Sequence, residues 1–442
     1  MIGDTGTVPA IRPAAVRALH DRVIGPEHKA LPPVAWGRTV REYLATTPHL
    51  DELQTPVLTI DRGALDNNLA VMAEWVGAAG VRLAPHGKTT MSPQLWGEQL
   101  AAGAWGVTLA TGWQAQVARR FGVRRILIAN TLVDPVGLAW AAAELADDPS
   151  FDLLCWADDV VTVEAMDRHL AGAPAGVRVS VLVELGGPRG RTGARSVAAA
   201  LEVAAAIERS AHLELAGVGG YEGPFARDRS PAGLAAVRGY LDELARLHGE
   251  LRGRYPRRAI VTAGGSAFPD LAAERLARTA ADAEVPTTVV LRSGAYLIHD
   301  DGFYAGLSPL IAGRTERPLR SAMHGWARTV SRPEPELALL DAGKRDLPYD
   351  EGMPVPQSVS GSGAVTAERI AGTMSAAAHV SKLNDQHTFL RLPGGGDVPI
   401  GSVVRLGLSH PCTAFDKWRL IPVIDDADAE RPRVVDFLHT FF

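Results

Sequence analysis

Between residues 81 and 293, short apolar runs of strand length alternate with longer stretches whose apolar residues follow helical spacing. The strand-like runs lie at 81–86, 105–110, 125–130, 151–156, 177–184, 213–221, 259–265 and 287–293. The helical stretches between them are Pro93–Ala102, Gly112–Phe121, Pro135–Ala146, Val160–Leu170, Ala194–Arg209, Pro231–Arg252 and Pro269–Ala283. Strands that alternate with helices form a parallel sheet. Eight such units predict an α/β protein with a (β/α)8 TIM-type barrel, a fold of ~250 residues, and the rival is a doubly wound open sheet.

The two ends of the chain show different patterns. The first 54 residues are interrupted by prolines and predict an arm with one helix at Pro13–Val23. Thr55–Asp61 has the composition of a strand, and Leu65–Met72 has helical spacing. After residue 318 the helical periodicity fades, and short β-like runs appear among Gly and Pro turns, at Ala327–Val330, Leu337–Leu340, Phe389–Leu392 and Val403–Leu408. We therefore predict a C-terminal all-β domain, in which residues 372–381 fit neither pattern.

Composition and charge narrow the class of protein. The chain of 442 residues is 46% hydrophobic, and its formal net charge of −5 gives no reason to expect a nucleic acid or an acidic membrane as partner. The first thirty residues contain no apolar segment of the length of a signal peptide's core, and nowhere do eighteen uninterrupted apolar residues form a transmembrane span. Two cysteines, Cys155 and Cys412, are too few for a disulfide framework. We expect a cytoplasmic protein, with Cys155 buried in its apolar run.

The residues that follow the predicted barrel strands carry the candidate chemistry, because active sites of this fold lie at the carboxyl ends of the strands. His86 and Lys88 follow the first strand, Gly264-Gly265-Ser266 follows the seventh and Gly294 the eighth. Glycine turns after these last two strands let backbone N–H groups approach a phosphate. A lysine across the mouth from a phosphate cradle suggests pyridoxal 5′-phosphate (PLP), whose aldehyde forms a Schiff base with an amine.

Two of these assignments have simple structural alternatives. Arg191 could face the pyridine nitrogen of PLP, but it lies in a basic loop between Arg189 and Arg195 and is equally well explained as a solvated charge. In the β domain, His410 and Cys412 are two residues apart and share a face if the segment is extended. Both side chains suit Zn²⁺, although a buried cysteine beside a turn histidine is the commoner arrangement.

Several motifs together resemble the D-serine dehydratase / D-threonine aldolase family of alanine-racemase-like PLP enzymes. The resemblance covers residues 53–425, in the family's order, through 85–89 (Pro-His-Gly-Lys-Thr), 219–223 (Gly-Gly-Tyr-Glu-Gly), 264–266 (Gly-Gly-Ser), 330–333 (Val-Ser-Arg-Pro), 340–344 (Leu-Asp-Ala-Gly-Lys), 386–387 (Gln-His) and 410–412 (His-Pro-Cys). It closely resembles the branch labelled amino acid deaminase. It implies four parts: an N-terminal arm (1–54), a strand that joins the β domain (55–62), a PLP-binding barrel (63–317) and a β domain carrying a metal site (318–442).

The resemblance also implies residue roles and partners. Lys88 is expected to form the Schiff base with PLP and to act in catalysis, and His410 and Cys412 to bind a divalent metal such as Zn²⁺. The cofactor is expected to contact His86, Arg191, Tyr221, Gly264, Gly265, Ser266, Gly294 and Tyr296. His299, Asp300 and Tyr304 could border the substrate. The family works as a homodimer on small D-amino acids.

Three activities are compatible with these residues. Cys412 favours a dehydratase, which converts D-serine-like 3-hydroxy amino acids to a keto acid and ammonia, since aldolase members tend to have Asp there. The alternative is a D-threonine-type aldolase, which breaks the Cα–Cβ bond and gives glycine and an aldehyde. The third is a PLP-carrying regulatory protein without turnover. The β domain with its His–Cys pair argues against the third.

Overall fold

The computed structural model describes residues 11–188, 190–281, 285–360, 368–369 and 378–442. Over these ranges the strands are β1 Val57–Asp61, β2 Arg82–Leu83, β3 Val107–Leu109, β4 Arg125–Thr131, β5 Asp152–Ala157, β6 Val179–Leu185, β7 Leu213–Gly220, β8 Ala259–Ala263, β9 Thr287–Leu291, β10 Met323–Glu334, β11 Leu337–Leu340, β12 Val355–Ser360, β13 Glu368–Arg369, β14 His379–Leu383, β15 Thr388–Arg391, β16 Val403–Gly407, β17 Leu420–Ile424 and β18 Val434–His439.

Helices cover the outside of the barrel and the chain ends. They are α1 Pro13–Arg17, α2 Val40–Leu44, α3 Arg62–Ala78, α4 Pro93–Ala101, α5 Gly112–Arg120, α6 Pro135–Asp147, α7 Val160–His169, α8 Val197–Arg209, α9 Pro231–Glu250, α10 Pro269–Ala281, α11 Phe303–Leu307 and α12 Cys412–Phe415. Short 3-10 turns lie at Ala18–Asp21, Pro33–Ala35, Leu50–Glu52, Gly87–Thr89, Gly223–Phe225, Arg252–Arg254 and Ala295–Leu297. The predicted N-terminal helix is therefore shorter than expected and ends in a 3-10 turn.

A parallel sheet of eight strands forms the barrel within the described residues, in the order β2-β9-β8-β7-β6-β5-β4-β3. Its two ends meet, because His86 and Thr108 form a parallel bridge and the Trp105 N–H donates to the Leu83 carbonyl at 2.7 Å. The predicted TIM-type barrel is therefore confirmed, and the doubly wound open sheet is excluded. All eight strands lie within the predicted runs or within one residue of them.

The barrel interior is filled by side chains from alternate positions along its strands. Ala84, Leu127, Leu154, Leu182 and Val290 belong to one buried cluster, to which Trp105 and Trp156 contribute the largest side chains. The intervening residues, Ile126, Cys155 and Leu291 among them, pack in the larger cluster that includes the helices. Since interior and exterior residues alternate, the position of a residue in its strand tells which way its side chain points.

A mostly antiparallel sheet holds the C-terminal part of the chain, with the path β13-β12-β16-β10-β1-β17-β18 and with β11, β15 and β14 attached beyond β10. Strand β1 lies inside this sheet, antiparallel to β10 and parallel to β17. It is a strand of the β-rich part, although it precedes the whole barrel in the sequence. Of the ambiguous segment 372–381, the structure describes residues 378–381, of which 379–381 begin β14, and residues 372–377 lie outside the described ranges.

The N-terminal arm binds both parts of the fold. The Arg12 N–H donates to the carbonyl of Phe121 in the barrel at 2.7 Å, and the Leu50 N–H donates to the Pro432 carbonyl beside β18 at 2.9 Å. His20 contacts Asp436 of β18 at 2.7 Å. In the described part of the chain, no helix is long and apolar enough to cross a membrane.

Asp61 joins the β-rich sheet, the barrel and the chain end at one buried point. Its Oδ1 accepts the Ala64 N–H at the start of α3 at 2.7 Å, and its Oδ2 accepts the Ala427 N–H at 2.7 Å. The residue is 7% exposed, so neither N–H has water as an alternative partner. One carboxylate thus caps the first barrel helix and fixes the segment that follows β17.

We predict that Asp61→Ala lowers the free energy of unfolding by about 2–4 kcal/mol, as a lost helix cap and an unpaired buried N–H add together. The matched control is Asp159→Ala, which removes an exposed cap from α7 (Oδ1 to Val161 N–H, 2.7 Å) and should cost only about 1 kcal/mol. Urea denaturation followed by circular dichroism measures both. Equal losses for the two variants would contradict the role given to Asp61.

Candidate active site

A cavity of about 420 Å³ opens at the carboxyl ends of the barrel strands and is covered on one side by the β-rich part. Of the residues singled out in the sequence, it is lined by His86, Lys88, Arg191, Tyr221, Gly265, Ser266, Gly294, Tyr304, His410 and Cys412. Groups more than 300 positions apart in the chain therefore meet in one space. The cavity has the size of a small-molecule site.

Lys88 lies in the 3-10 turn Gly87–Thr89, immediately after the bridge that closes the barrel. Burial lowers the pKa of its ammonium group, the neighbouring Arg191 and Arg292 lower the pKa further, and Cys412 acts in the opposite direction. A lowered pKa increases the share of neutral amine, which is the nucleophilic form. His86 beside it is also held neutral, because burial and the Lys88 charge take its pKa well below the ordinary value.

Arg292 is the buried cation at the base of the cavity. It is 4% exposed, donates to the Thr262 hydroxyl and to the Gly220 carbonyl at 2.6 Å each, and lies 4.9 Å from the Trp156 ring centroid. Burial lowers the pKa of the guanidinium, whereas the nearby carboxyl groups of Glu222 and Glu184 act to raise it. Arg191, by contrast, is exposed and stands 5.5 Å from the centre of the Tyr221 ring. Arg292 is thus the better fixed of the two arginines.

The glycine turn after β8 does not present its N–H groups as predicted. The N–H groups of Gly264 and Gly265 both donate to the carboxylate of Glu222, at 3.0 and 2.6 Å. Glu222 is fully buried, and burial raises its pKa. Gly264 does not line the cavity, and its φ of +83° is a conformation that glycine adopts at low cost. The phosphate donors proposed for this pair are therefore already engaged within the protein.

The neighbouring Ser266 keeps a donor for an anion, because its hydroxyl oxygen accepts two N–H groups while its own O–H hydrogen is left to donate. The Ser266 hydroxyl oxygen accepts the N–H groups of Gly294 and Ala295 at 3.3 and 3.1 Å, and all three residues line the cavity. A Cβ on Gly294 would come within 2.6 Å of the His86 carbonyl oxygen, so only glycine fits there. Because Gly294 approaches His86 so closely, the N–H groups of Gly294 and Ala295 lie beside the turn Gly87–Thr89 that carries Lys88.

Three other residues singled out in the sequence lie outside the cavity lining. The Tyr296 hydroxyl accepts a hydrogen bond from the Gln99 side-chain amide at 3.1 Å, and its ring is buried against α3 and α4. His299 is buried with a φ of +51°. Asp300 accepts the N–H groups of Gly302, Tyr304 and Ala305, and burial raises its pKa to about 7. Asp300 supports α11, which carries Tyr304 to the cavity.

His410 and Cys412 reach the cavity from the β-rich part. The Cys412 sulfur lies 3.3 Å from the hydroxyl oxygen of Thr89, next to Lys88. His410 Nδ1 lies 2.6 Å from Asp350 Oδ2, which leaves Nε2 on the other side of the ring. Burial lowers the pKa of His410, but hydrogen bonds with Cys412 and Asp350 outweigh it and raise the pKa to about 9. A carboxylate behind a histidine is the usual support of a metal-binding imidazole.

A third protein ligand is not found in this arrangement. Within the described residues, no group of three or more His, Cys, Asp or Glu side chains is close enough to hold a metal ion. The pair can therefore supply two ligands, and the remaining positions would be filled by water or substrate, as in catalytic rather than structural sites. Sulfur and imidazole nitrogen are ligands that suit Zn²⁺.

Four functional residues were given no role from the sequence: Trp156, Glu222, Arg292 and Asp350. Two of them were detectable through strand alternation. Val290 fills the barrel interior, so Arg292, two positions later, points inward as well, and the same holds for Leu154 and Trp156. Glu222 and Asp350 lie in loops, where alternation gives no direction. Their roles depend on contacts with Gly264 and His410 that only the fold creates.

The residues present fit PLP. His86 Nδ1 and Trp156 Nε1 are buried without a hydrogen-bond partner in the described structure, and both side chains line the cavity. Buried polar atoms without partners are rare and mark places where a ligand can bind. A shielded amine, the Ser266 hydroxyl and a buried guanidinium match the three polar parts of the cofactor. The fit rests on Lys88, Ser266 and Arg292.

Comparison with known proteins agrees with this arrangement. The family model described as "Putative serine dehydratase domain" matches residues 322–424. A D-threonine aldolase of Arthrobacter sp. is 26% identical over 86% of this chain and 92% of its own length. The D-threo-3-hydroxyaspartate dehydratase of Delftia sp. (strain HT23) is 39% identical over 18% of this chain and 21% of its own length.

Solved structures share the fold. D-threonine aldolase from Filomicrobium marinum has a TM-score of 0.70 at 22% identity, over 88% of this chain and 95% of that chain. The Delftia dehydratase has a TM-score of 0.67 at 20% identity, over 89% and 99%. A D-threo-3-hydroxyaspartate dehydratase with one cysteine replaced is described as being in a metal-free form. The chain therefore resembles the D-serine dehydratase / D-threonine aldolase family in sequence and shares the alanine-racemase-like fold, and this likeness supports an enzyme with lyase activity.

Proposed function

We propose that this enzyme is a PLP- and metal-dependent D-3-hydroxy amino acid dehydratase, which converts D-serine to pyruvate and ammonia. One observation carries the proposal: Lys88 of the barrel and the His410–Cys412 pair of the β-rich part line the same cavity. A base close to the α-carbon and a metal close to the β-oxygen are the two requirements of this elimination. PLP would supply the electron sink that makes loss of the α-proton possible.

The barrel side of the cavity would hold the cofactor. Lys88 would hold the aldehyde end, and the Ser266 hydroxyl, beside Gly294 and Ala295, would donate to the phosphate. Arg292 would face the ring. A guanidinium has no proton to give away at ordinary pH, so it donates to the ring nitrogen without protonating it. We assign Arg292, rather than the exposed Arg191, to that nitrogen because Arg292 is buried and fixed by two hydrogen bonds.

Lys88 has the protonation behaviour that the reaction needs. Because burial lowers its pKa, the free amine is available to accept the α-proton of the substrate. His86, which is neutral, lines the cavity beside it and does not add a positive charge to the site. The nearby charge of Arg191 then remains to attract the substrate carboxylate.

His410 and Cys412 would hold a divalent metal, for which Zn²⁺ is our proposal. Such an ion acts as a Lewis acid on the β-oxygen and makes hydroxide a better leaving group. Asp350 fixes the ring of His410 through Nδ1 and so directs Nε2 to the ion. A cysteine variant of the related dehydratase is described as being in a metal-free form, and such a description implies that the enzyme also has a form with metal.

An aldolase acting on D-threonine is the second candidate, and the 26% identity to the Arthrobacter enzyme over 86% of this chain favours it. The same residues serve both reactions, since each needs a polarised β-oxygen. Our preference for the dehydratase depends on Cys412, which the dehydratase members tend to share. A homodimer in the cytoplasm is a further proposal, taken from the resemblance.

The first prediction of this proposal is the product. The purified enzyme, supplied with PLP and Zn²⁺, should form pyruvate and ammonia from D-serine and a keto acid from D-threonine. Lys88→Ala should lose the visible absorbance of bound PLP and at least about 10⁴-fold in kcat/KM, because the proton-transfer group and the covalent link are both removed. Chromatography of the products, with ammonia released, measures this.

Two other outcomes would each replace the proposed dehydratase by another function. Glycine and acetaldehyde without a keto acid would replace the dehydratase by the aldolase. Retained absorbance of PLP, without consumption of any D-3-hydroxy amino acid, would favour the regulatory protein that binds PLP without turnover.

The second prediction concerns the metal. Asp350→Ala should weaken zinc binding about 10- to 100-fold, because His410 loses the partner that orients its ring, while Asp350→Asn should keep most of the affinity. Competition with a chromophoric chelator measures the dissociation constant. The control is Asp385→Ala, which breaks an exposed contact with Arg345 at 3.4 Å in the same β-rich part. Zinc affinity that is unchanged in Asp350→Ala would remove the metal role from His410.

A further inference from the structure

We propose that the ion pair between Arg227 and Glu351 selects the substrate class at this site. It favours D-3-hydroxy amino acids whose β-substituent is uncharged and disfavours those that carry a second carboxylate. The inference rests on the proposed function and refines it. It applies equally to the dehydratase and to the aldolase, because both act on the same kind of substrate.

The ion pair stands at the mouth of the cavity. Arg227 Nη2 lies 2.9 Å from Glu351 Oε2, and both residues line the cavity. The Arg227 side chain is 78% exposed and that of Glu351 is 31% exposed, so the pair is located at the solvent end. Arg227 follows β7 in the barrel, whereas Glu351 lies between β11 and β12 in the β-rich part. A substrate therefore passes this pair on entry.

The pair also lies on the side where the β-substituent would be held. Glu351 directly follows Asp350, which bonds the candidate metal ligand His410 at 2.6 Å. On the other side, the Arg227 guanidinium carbon is 5.9 Å from the centre of the Phe303 ring, and Pro224 and Ala226 add apolar surface. A hydrogen or methyl group on the β-carbon fits such surroundings without desolvating a charge.

The charges of the cavity explain the selection. Among the described residues that line it, the arginines are Arg191, Arg227 and Arg292, and the single carboxylate is Glu351. In the proposed function Arg292 faces the cofactor ring, and Arg191 is left for the α-carboxylate. Arg227 is the remaining arginine, and Glu351 neutralises it. A second substrate carboxylate would meet Glu351 instead of a free guanidinium, and like charges at close range repel.

The test compares D-serine with D-3-hydroxyaspartate in the full enzyme loaded with PLP and Zn²⁺. Glu351→Gln should raise the ratio of kcat/KM for D-3-hydroxyaspartate over D-serine about three- to tenfold, mainly through a lower KM, because Arg227 is released to bind the second carboxylate. Adding Arg227→Gln to Glu351→Gln should return the ratio to within about twofold of the wild-type value. The expected wild-type preference is for D-serine.

The matched control is Glu74→Gln, which breaks an Arg–Glu pair of similar length (2.8 Å to Arg317) on helix α3, outside the cavity. It should leave the ratio unchanged. If Glu351→Gln turns over D-serine but leaves the ratio unchanged, or if the wild type already prefers D-3-hydroxyaspartate, the selection by this pair is wrong while the proposed lyase activity stands. No turnover of any D-3-hydroxy amino acid by the wild type would overturn both.

Discussion

The position of strand β1 is the constraint on which the site depends. The chain passes through the middle of the β-rich sheet at Val57–Asp61 and enters the first barrel helix at the next residue, with no linker between. Asp61 then ties that helix to Ala427. A sheet joined to a barrel in this way cannot rotate freely against it. The loops that carry Asp350, His410 and Cys412 are therefore held over the barrel mouth.

Further contacts fix these loops closely. The Asp301 N–H donates to the Leu408 carbonyl at 2.9 Å, and a Cβ on Gly302 would lie 2.7 Å from that of Ser409, one residue before His410. The Thr89 hydroxyl meets the Cys412 sulfur on the other side. Catalytic groups displaced by about 1 Å can lose two orders of magnitude in rate. Contacts between the two parts therefore belong to the catalytic machinery even where no reacting atom is near.

The sequence predicted the barrel well because buried parallel strands are apolar along their whole length and stand out between periodic helices. It also identified Lys88, His410 and Cys412 as candidates, because an amine can form a Schiff base and because imidazole and thiolate can bind a metal. It could not show that Glu222 occupies the N–H groups of Gly264 and Gly265, since a hydrogen bond across 42 positions depends on how two loops meet. Tyr296 turned away for a similar reason: in the 3-10 turn after β9 the side chains no longer alternate, and its hydroxyl finds Gln99. The inward direction of Arg292 could have been predicted, because Arg292 lies two positions after Val290, which fills the barrel interior.

The site divides its work between the two parts of the fold. In the proposed arrangement, groups from the barrel would surround the cofactor and the α-carbon, whereas His410, Cys412, Asp350 and Glu351 of the β-rich part would face the substituents on the β-carbon. Elimination and carbon–carbon cleavage would then use the same barrel groups and differ in which bond to the β-carbon breaks. The choice of reaction and substrate would therefore depend on the loops 349–353 and 408–413, whose position β1 controls, together with Arg227 at the mouth of the barrel.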